Sequence, residues 1–433
     1  MAVSVNPNIR KSSGAGLLSS LPSRLMATRR TTDTLLEGLT AEDQNLQSMP
    51  ETSPAKWHRA HTSWFFETFV LTGHLSGYQV FQPAYAELFN SYYNGVGRQH
   101  PRARRALLSR PTMDEVTAYR AHVDAALEAL LGTTATDALT RIAPLLELGR
   151  AHEQQHQELI LTDLKHGFSF NPLSPSLGKS PSCSDQDAPP SGWIVQDSGI
   201  VEIGADAEAF CFDNETPRHR VLIDRPFRLC DRPVSCGDYL DFIDDGGYGE
   251  PLLWLSDGWT WLQREAIEAP LYWQRDEACG RGWSVFTLAG RKPLDRSQPV
   301  CHLSFYEAAA YAAWAGARLP TEFEWEAVAA SQDGTGQFAD AGCFHPQPFH
   351  PGNGPGLYGG VWEWTASSYA PYPGFRPAAG AIGEYNGKFM ANQMVLRGGS
   401  CATPADHIRP SYRNFFYPPD RWQFSGLRLA QDA

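Results

Sequence analysis

Residues 151–166 read AHEQQHQELILTDLKH, and this stretch decides how the first half of the chain is interpreted. His152 and His156 are four residues apart, so on a helix they lie on one face, one turn from each other. Steps of three and four along that face give the stripe Leu145, Gly149, His152, His156, Leu159 and Asp163. Two imidazoles therefore stand where leucine is usual, which is how metal sites in helix bundles are built.

The same residues also spell H-E-x-x-H, the motif of zinc metalloproteases, with Glu153 as the candidate base. A protease of this kind needs a third ligand, usually from a downstream helix or an extended motif. Here a Pro- and Ser-rich segment follows soon after, and no H-x-x-G-x-x-H extension is present. We therefore favour a metal site in a bundle, in which Glu153 is a spare ligand at most.

A third histidine is available upstream, where residues 56–67 read KWHRAHTSWFFE. Either His58 or His61 can face inward, and helical spacing alone leaves that choice open. Glu158 is excluded as a partner of His156, because two residues on a helix are ~200° apart. Three histidines are thus favoured over two histidines and a carboxylate, and such a set suits Fe(II), Zn or Cu.

Residues 17–170 are predicted to form an antiparallel helical bundle. Apolar spacing of three and four marks helices over Ala55–Leu71, Met113–Leu131 and Ile142–His166, and a first helix is expected near Leu17–Leu39. We expect Ser53 to cap the second helix with Pro54 at its first position, and Thr112 to cap the third.

Residues 171–191 read NPLSPSLGKSPSCSDQDAPPS and are interpreted as a linker. Residues 192–433 are predicted to form a second domain, loop-rich and α+β, with small sheets. Its predicted strands are Trp193–Val195, Gly199–Ile203 and His219–Ile223, and its predicted helices are Cys236–Ile243 and Ser304–Ala315. Residues 1–16 are predicted to be a flexible N-terminus.

Composition excludes several function classes. The 433 residues carry 36 Lys and Arg against 48 Asp and Glu, a net charge of −12, which argues against nucleic acid as the main partner. No run approaches the ~20 apolar residues of a membrane span. The eight cysteines form no C-x-x-C pair, and we interpret them as thiols of a cytoplasmic protein. The basic first 32 residues are similar in composition to a transit peptide, but a frayed start before the first helix is favoured. The oligomeric state stays open.

The histidine motifs, taken together, resemble those of the ergothioneine-biosynthesis iron(II) sulfoxide synthases (EgtB-like proteins), including the related selenoneine synthase branch. These proteins join a DinB-like four-helix bundle to a domain like the formylglycine-generating enzyme. The second half carries the matching signatures in order: Pro299–Ser304 (PVCHLS), Arg318–Glu322 (RLPTE), Val361–Trp364 (VWEW), Arg397–Ser400 (RGGS) and Gly426–Arg428 (GLR). The resemblance covers almost the whole chain.

This resemblance implies Fe(II) as cofactor, with O2 and hercynine as substrates together with a small thiol or a selenosugar. His61, His152 and His156 match the three iron ligands, and His58 matches a position that need not bind the metal. Gln155 and Asn414 match residues that contact hercynine. Phe415 and Phe416 are candidate faces for its trimethylammonium group.

One departure from the family pattern bears on the sulfur donor. Members that use γ-glutamylcysteine have an Asp two residues after the asparagine and an Arg four further on, where this chain has Phe416 and Asp420. Arg421, one position later, is kept as a candidate substrate-binding residue. Cysteine is therefore favoured over γ-glutamylcysteine, and the alternative is selenoneine synthesis from a selenosugar.

A second departure bears on the catalytic tyrosine. The same members place the catalytic tyrosine three residues after another tyrosine. In this chain the residue three positions before Tyr385 is Ile382. Residues 89–93 (FNSYY) resemble the branch whose tyrosines come from the helical half, so we predict Tyr92 and Tyr93 as the donors of a proton or hydrogen atom. One arginine among Arg98, Arg102, Arg104 and Arg105 is a candidate for the donor carboxylate.

Formylglycine generation itself is disfavoured, because it needs a cysteine pair near the C-terminus and no cysteine follows Cys401. A pure binding module would leave the histidines unexplained, and a thiol transferase using the bundle alone would leave the second domain without a role.

Overall fold

The apolar spacing of the first half produces four long helices in the computed structural model. The structure describes residues 14–178, 187–206, 210–277, 282–350, 352 and 354–433. The predicted flexible N-terminus lies outside these ranges up to residue 13, as do residues 179–186 of the predicted linker, Cys183 and Cys279.

The helical half contains short connecting helices as well as the four long ones. Its elements are α1 (Gly14–Leu35), α2 (Ala41–Gln44), α3 (Ala55–Phe66), a π-helical turn (Glu67–Leu71), α4 (Thr72–His74), α5 (Tyr85–Leu88), a 3₁₀ turn (Arg102–Leu107), α6 (Met113–Thr133) and α7 (Thr136–Ser169). Helix α7 begins six residues before the predicted Ile142, because apolar spacing marks only the packed part of a helix and 137–141 are largely exposed.

One of the two predicted helix caps is wrong. Thr112 caps α6 as predicted, in a reciprocal pair with Glu115. Helix α3, however, begins at Ala55, with Pro54 as the capping residue and no side-chain cap. The Ser53 hydroxyl instead accepts a hydrogen bond from Arg105 (2.8 Å), and the Ser53 amide donates to Asp163 (2.8 Å). Ser53 therefore joins three segments of the bundle rather than capping a helix.

The second half is loop-rich, with four helices and fourteen short strands among the described residues. The helices are α8 (Cys236–Asp244), α9 (Ser256–Glu265), α10 (Phe305–Trp314) and α11 (Glu322–Ala329). The strands are β1 (Trp193–Gln196), β2 (Gly199–Ile203), β3 (His219–Ile223), β4 (Phe227–Cys230), β5 (Trp273–Asp276), β6 (Gly282–Thr287), β7 (Gly290–Pro293), β8 (Gly336–Gln337), β9 (Tyr358–Gly359), β10 (Trp362–Ser368), β11 (Met394–Arg397), β12 (Asn414–Phe416), β13 (Ser425–Gly426) and β14 (Ala430–Asp432).

These strands form small sheets. The largest has the order β12-β11-β10-β13, two have three strands (β1-β4-β14 and β5-β6-β7), and two have two strands (β2-β3 and β8-β9). Strands β2 and β3 have their predicted bounds. The prediction of an α+β fold, with a helical N-terminal part and a loop-rich C-terminal part, is confirmed.

Buried ion pairs hold this loop-rich core together. Glu363 on β10 accepts hydrogen bonds from Arg428 (2.7 Å) and from the indole of Trp325 (2.7 Å), and all three side chains are buried. Arg397 on β11 pairs with Glu322 (2.8 Å) on α11. The RLPTE, VWEW, RGGS and GLR signatures thus supply partners of two buried polar clusters, which fix segments that regular secondary structure does not.

The chain divides into two compact units, and each unit is built from three separate segments of the sequence. Unit 1 comprises residues 1–167 together with 207–212 and 376–387, and unit 2 comprises 168–206, 213–375 and 388–433. Two short segments that follow the helical bundle in the sequence therefore belong to the same unit as the bundle. Among the described residues, no helix combines the length and apolarity that crossing a membrane requires.

Gly149 permits the close approach of α3 and α7. A Cβ atom at Gly149 would lie 2.4 Å from Cε1 of Phe66 and 3.2 Å from Cε1 of Phe65. We expect Gly149→Ala to destabilise the protein by about 1–3 kcal/mol, because the packed rings must shift. Urea unfolding followed by circular dichroism at 222 nm measures this change.

The matched control is Gly132→Ala on α6, where a Cβ would meet nothing within 4 Å. That variant should be neutral or stabilised by up to about 1 kcal/mol. Equal stability of the two variants would contradict the packing argument.

Candidate metal centre

Three histidine side chains converge in the interior of unit 1. His61 comes from α3, and His152 and His156 come from successive turns of α7. The Nε2 atom of His152 lies 3.1 Å from Nε2 of His61 and 3.1 Å from Nε2 of His156. The three rings are 0%, 2% and 8% exposed, respectively, and each offers a ligand atom within 4.8 Å of the others.

The outer ring nitrogens have different surroundings. His61 Nδ1 donates to the carbonyl oxygen of Phe89 (2.6 Å), which can only accept, so Nε2 of His61 carries a lone pair. His156 Nδ1 lies 2.7 Å from Nδ1 of His58. His152 Nδ1 has no hydrogen-bond partner among the described residues. His61, the second histidine of KWHRAHTSWFFE, therefore belongs to the cluster. His58, the first, contacts only the outer nitrogen of His156.

Burial keeps the three imidazoles neutral. It lowers the pKa of His61 and His156 well below the usual value and that of His152 to about 3, and the neighbouring histidines lower the pKa of His61 and His156 further. Neutral imidazoles are the form that binds metal ions. Nε2 of His152 lies 3.1 Å from Nε2 of each of the other two rings, and a divalent metal ion among the three would accept all three lone pairs at once.

The donor set limits which ions fit. All three ligand atoms are imidazole nitrogens, and this three-residue group contains no carboxylate. Such a set suits Fe(II), Zn or Cu, as opposed to Mg or Ca, which prefer oxygen.

Glu153 is neither a base nor a spare ligand of this cluster. Its carboxylate is fully buried and accepts hydrogen bonds from Arg29 (2.9 Å), Arg120 (2.6 Å) and the hydroxyl of Thr32 (2.7 Å). Burial alone would raise its pKa, but the arginine charges outweigh burial and lower the pKa to about 2. The acidic residue of the H-E-x-x-H pattern thus joins α7 to α1 and α6, and the protease interpretation loses its base.

Tyr385 reaches the same cluster from the segment 376–387 of unit 1. Its hydroxyl donates to Oε1 of Gln155 (2.5 Å), and its ring centroid lies 5.8 Å from that of His152. Phe212 stacks on the Tyr385 ring, with centroids 5.5 Å apart. From the sequence, Tyr385 is noticed only because it matches a family position. The Gly- and Ala-rich residues around it have no periodicity from which its location near the histidines could be predicted.

Tyr92 and Tyr93 form a stacked pair in the same unit. Their hydroxyl oxygens are 3.4 Å apart, and Tyr93 is fully buried. Tyr93 packs on Trp64, which stacks on His61 with ring centroids 5.3 Å apart. Burial raises the pKa of Tyr93 well above its usual value, and Tyr92 and Tyr385 raise it further. The pair and the tyrosine of the later segment are therefore electrostatically coupled.

Glu384 joins these two tyrosine-bearing segments. Its carboxylate accepts hydrogen bonds from the amides of Asn94 (3.0 Å) and Gly95 (2.7 Å), directly after the Tyr92–Tyr93 pair. The contact explains how a segment almost 300 residues away in sequence is held in the helical unit.

Comparison with known proteins identifies the family. The DinB superfamily model matches residues 24–160, and the sulfatase-modifying factor enzyme 1-like domain matches residues 180–353 and 332–433. The hercynine oxygenase of Mycobacterium tuberculosis is 34% identical over 410 residues, which cover 88% of this chain and 92% of that protein. That of Mycolicibacterium smegmatis is 32% identical over 426 residues, with 89% and 93% covered. Ergothioneine biosynthesis protein 1 of Schizosaccharomyces pombe is 29% identical over 52% of this chain and 28% of that protein.

The chain belongs to the hercynine oxygenase family. It is therefore an enzyme, an oxidoreductase, with an N-terminal DinB-like bundle and a C-terminal domain like the sulfatase-modifying factors. The predicted family resemblance is confirmed.

The other residues predicted from this family lie in unit 2. Asn414, Phe415 and Phe416 form β12, where Phe415 stacks on Tyr369 with ring centroids 4.0 Å apart. Arg421 donates to the carbonyl oxygen of Ala269 (3.0 Å) and pairs with buried Glu307 (3.2 Å). These contacts give Phe415 and Arg421 structural roles, and their binding of substrate stays a prediction.

The four arginines considered for a carboxylate differ in burial. Arg98, Arg102 and Arg104 are exposed, whereas Arg105 is 3% exposed and lies 3.3 Å from the ring centroid of Trp57. Trp57 in turn stacks on His61, with centroids 4.6 Å apart. Arg105 is thus the arginine of this group that packs beside the histidine cluster.

Removing the charge of Glu153 should separate its structural role from metal binding. We expect Glu153→Gln to lower the free energy of unfolding by about 3 kcal/mol, because two buried guanidinium groups lose their shared anion. One metal ion per chain should still bind. Urea unfolding and metal analysis after gel filtration measure the two quantities.

Glu147→Gln is the matched control on the same helix, since Glu147 is partly exposed and pairs with Arg24 and Arg150. It should lose less than about 1 kcal/mol. Loss of the metal ion from Glu153→Gln with unchanged stability would make Glu153 a ligand after all.

Proposed function

We propose that this enzyme uses Fe(II) and O2 to join a sulfur donor to C2 of the hercynine imidazole, a step of ergothioneine biosynthesis. The observation that carries the proposal is the convergence of the Nε2 atoms of His61, His152 and His156 in a chain whose relatives are named hercynine oxygenases. Three protein ligands leave up to three positions of a six-coordinate ion for substrates, and the bound iron supplies the redox chemistry with O2.

The overall reaction balances without a further reductant. A thiol RSH, the C2–H of the imidazole and O2 give the sulfoxide R–S(=O)–C2 and one water. Formation of the C–S bond removes two electrons, and oxidation of the sulfur removes two more. Together these account for the four-electron reduction of O2, so the chain needs no bound flavin or nicotinamide.

Gln155 is suited to orient the hercynine ring. It lies beside two ligands on α7, and its amide oxygen is held by the hydroxyl of Tyr385. A neutral amide fixes the direction of a bound imidazole without adding charge beside the metal ion. We therefore give Tyr385 the role of positioning Gln155, since its hydroxyl proton is already donated to that amide oxygen.

Tyr93 is suited to donate a proton or hydrogen atom. Burial keeps its phenol protonated and makes it a weak acid, so it can give a hydrogen atom, or a proton to a strongly basic acceptor. Tyr92 lies within hydrogen-bond distance of the Tyr93 oxygen and can replace the proton. The predicted catalytic role of this pair is retained.

The donor is proposed to be cysteine in preference to γ-glutamylcysteine. The two family positions that serve the dipeptide hold Phe416 and Asp420, and Asp420 accepts a hydrogen bond from the amide of Tyr417 within a local turn. A phenylalanine and a carboxylate cannot bind the dipeptide's own carboxylates. The same departure is compatible with a selenosugar, which makes selenoneine synthesis the alternative.

A reducing compartment suits this enzyme. Cys230 and Cys236, both buried in the second half of the chain, are free thiols. Free thiols persist in the cytoplasm, where disulfides are rare, so we propose a cytoplasmic location.

A competition assay tests the proposed reaction. The protein is loaded with Fe(II) under anaerobic conditions and then given O2, hercynine, cysteine, γ-glutamylcysteine and a selenosugar together. We expect a hercynyl-cysteine sulfoxide by mass spectrometry, at least about ten times more abundant than the γ-glutamyl product. Zn-loaded protein is the control and should give no adduct.

Each other outcome of this assay is informative. A selenium adduct alone would replace the sulfur donor by a selenosugar and leave the iron proposal intact. The absence of any adduct, with iron verified as bound, would overturn hercynine as the acceptor.

Phenylalanine substitutions separate the roles of the tyrosines. Tyr93→Phe should lower kcat by about 100-fold or more, with little change in the KM for hercynine, because a proton donor is lost. Tyr385→Phe should mainly raise the KM for hercynine, because Gln155 loses its orientation. Steady-state kinetics with mass-spectrometric detection give both constants, and the reverse pattern would transfer the donor role to Tyr385.

A further inference from the structure

His58 bridges a metal-ligand candidate and a buried carboxylate. Its Nδ1 atom lies 2.7 Å from Nδ1 of His156, and its Nε2 atom lies 3.1 Å from Oδ2 of Asp163. His58 is 2% exposed and Asp163 is 6% exposed. The three side chains form a line that ends at the Nε2 atom of His156, which faces the other two ligand candidates.

The Asp163 carboxylate is held in place independently of His58. The same oxygen, Oδ2, accepts a hydrogen bond from the amide of Ser53 (2.8 Å) at the start of α3. Asp163 lies on α7, two turns after His156, so it joins the two helices that carry the ligands. Its position is therefore fixed by backbone on both sides.

The Asp163 carboxylate at one end of this line determines which nitrogen atom carries the proton on each ring. A carboxylate only accepts, so His58 must carry its proton on Nε2. In neutral His58 the Nδ1 atom is then an acceptor, and His156 must donate from its own Nδ1. His156 Nε2 is thereby left with a lone pair directed toward the centre of the cluster.

The three ligand candidates consequently differ in the hydrogen bonds made by their Nδ1 atoms. His61 donates to the carbonyl oxygen of Phe89, His156 donates to a histidine that is itself bonded to a carboxylate, and Nδ1 of His152 has no hydrogen-bond partner among the described residues. A partner linked to an anion draws the Nδ1 proton more strongly and raises the basicity of the opposite nitrogen. His156 should be the strongest donor of the set.

We propose that His58 and Asp163 are positioning residues that fix the tautomer of His156 and strengthen it as a metal ligand. The proposal rests on the metal-dependent function argued above, and it concerns this chain's own hydrogen bonds. His58 does not bind the metal ion: it acts through the ring of His156, and Asp163 acts through His58.

Metal binding in the absence of substrates tests this proposal. His58→Phe keeps the ring volume and removes both hydrogen bonds. We expect the Kd for Co(II), measured by competition with a chromogenic chelator, to rise about 10- to 100-fold. The visible d–d spectrum of the Co(II) protein should change as well, because the field of one ligand changes.

Two further variants make the test specific. His58→Asn places an amide oxygen near the position of Nδ1 and keeps an acceptor for His156 without the link to Asp163, so its Kd should lie between those of the wild type and His58→Phe. His166→Phe is the matched control: His166 is also a buried histidine of α7, and its Nδ1 atom lies 2.7 Å from the hydroxyl of Ser48. It should bind Co(II) with the wild-type Kd and spectrum.

The possible outcomes distinguish this proposal from the proposed function. Wild-type Kd and spectrum in His58→Phe, or equal losses in His58→Phe and His166→Phe, would overturn the positioning role. If His58→Phe fails to fold, His58→Leu, which also lacks an acceptor for His156, takes its place: a higher Kd in His58→Leu than in His58→Asn would support the role, and equal wild-type Kd values in both variants would contradict it. Wild-type protein that binds Co(II) but forms no hercynine adduct with Fe(II) would overturn the proposed reaction alone.

Discussion

The rotation of α7 about its own axis is the constraint on which the candidate site depends, and Glu153 fixes it. The carboxylate of Glu153 is bound by Arg29 from α1 and Arg120 from α6. A charge in that position cannot turn toward another part of the bundle without leaving buried guanidinium groups unpaired, which is strongly unfavourable. Because His152 is the preceding residue, the same ion pairs direct its ring toward α3.

Many buried side chains of unit 1 are polar, and those around α7 lie in two layers. One layer consists of ion pairs on the side of α7 that faces α1 and α6. The other consists of imidazoles on the side that faces α3, with Phe89, His58 and Asp163 behind them. The arginine–glutamate ion pairs thus lie on one side of α7 and the neutral nitrogen donors on the other, with the Asp163 carboxylate separated from the cluster by His58.

Much of this site follows from the sequence, for a clear reason. The pairing of His152 with His156 is a matter of helical spacing, and spacing is a local property that sequence displays directly. The choice between His58 and His61 is not local, because both lie on α3 within one turn, and the family resemblance was needed to prefer His61. Tyr385 shows the limit most clearly. Its contact with Gln155 depends on Glu384 binding two backbone amides far away in the chain, and no periodicity marks it.

The letters H-E-x-x-H also show why a motif has meaning only in its structural context. In a metalloprotease the glutamate and the histidines serve one zinc ion, so the glutamate must face the metal-bound water. Residues 152 and 153 of a helix point about 100° apart, and the surrounding helices decide which of them faces the cluster. Here the arginines of α1 and α6 bind the glutamate. The base that hydrolysis would need is therefore bound within the scaffold, and the three histidines face one another without a carboxylate among them.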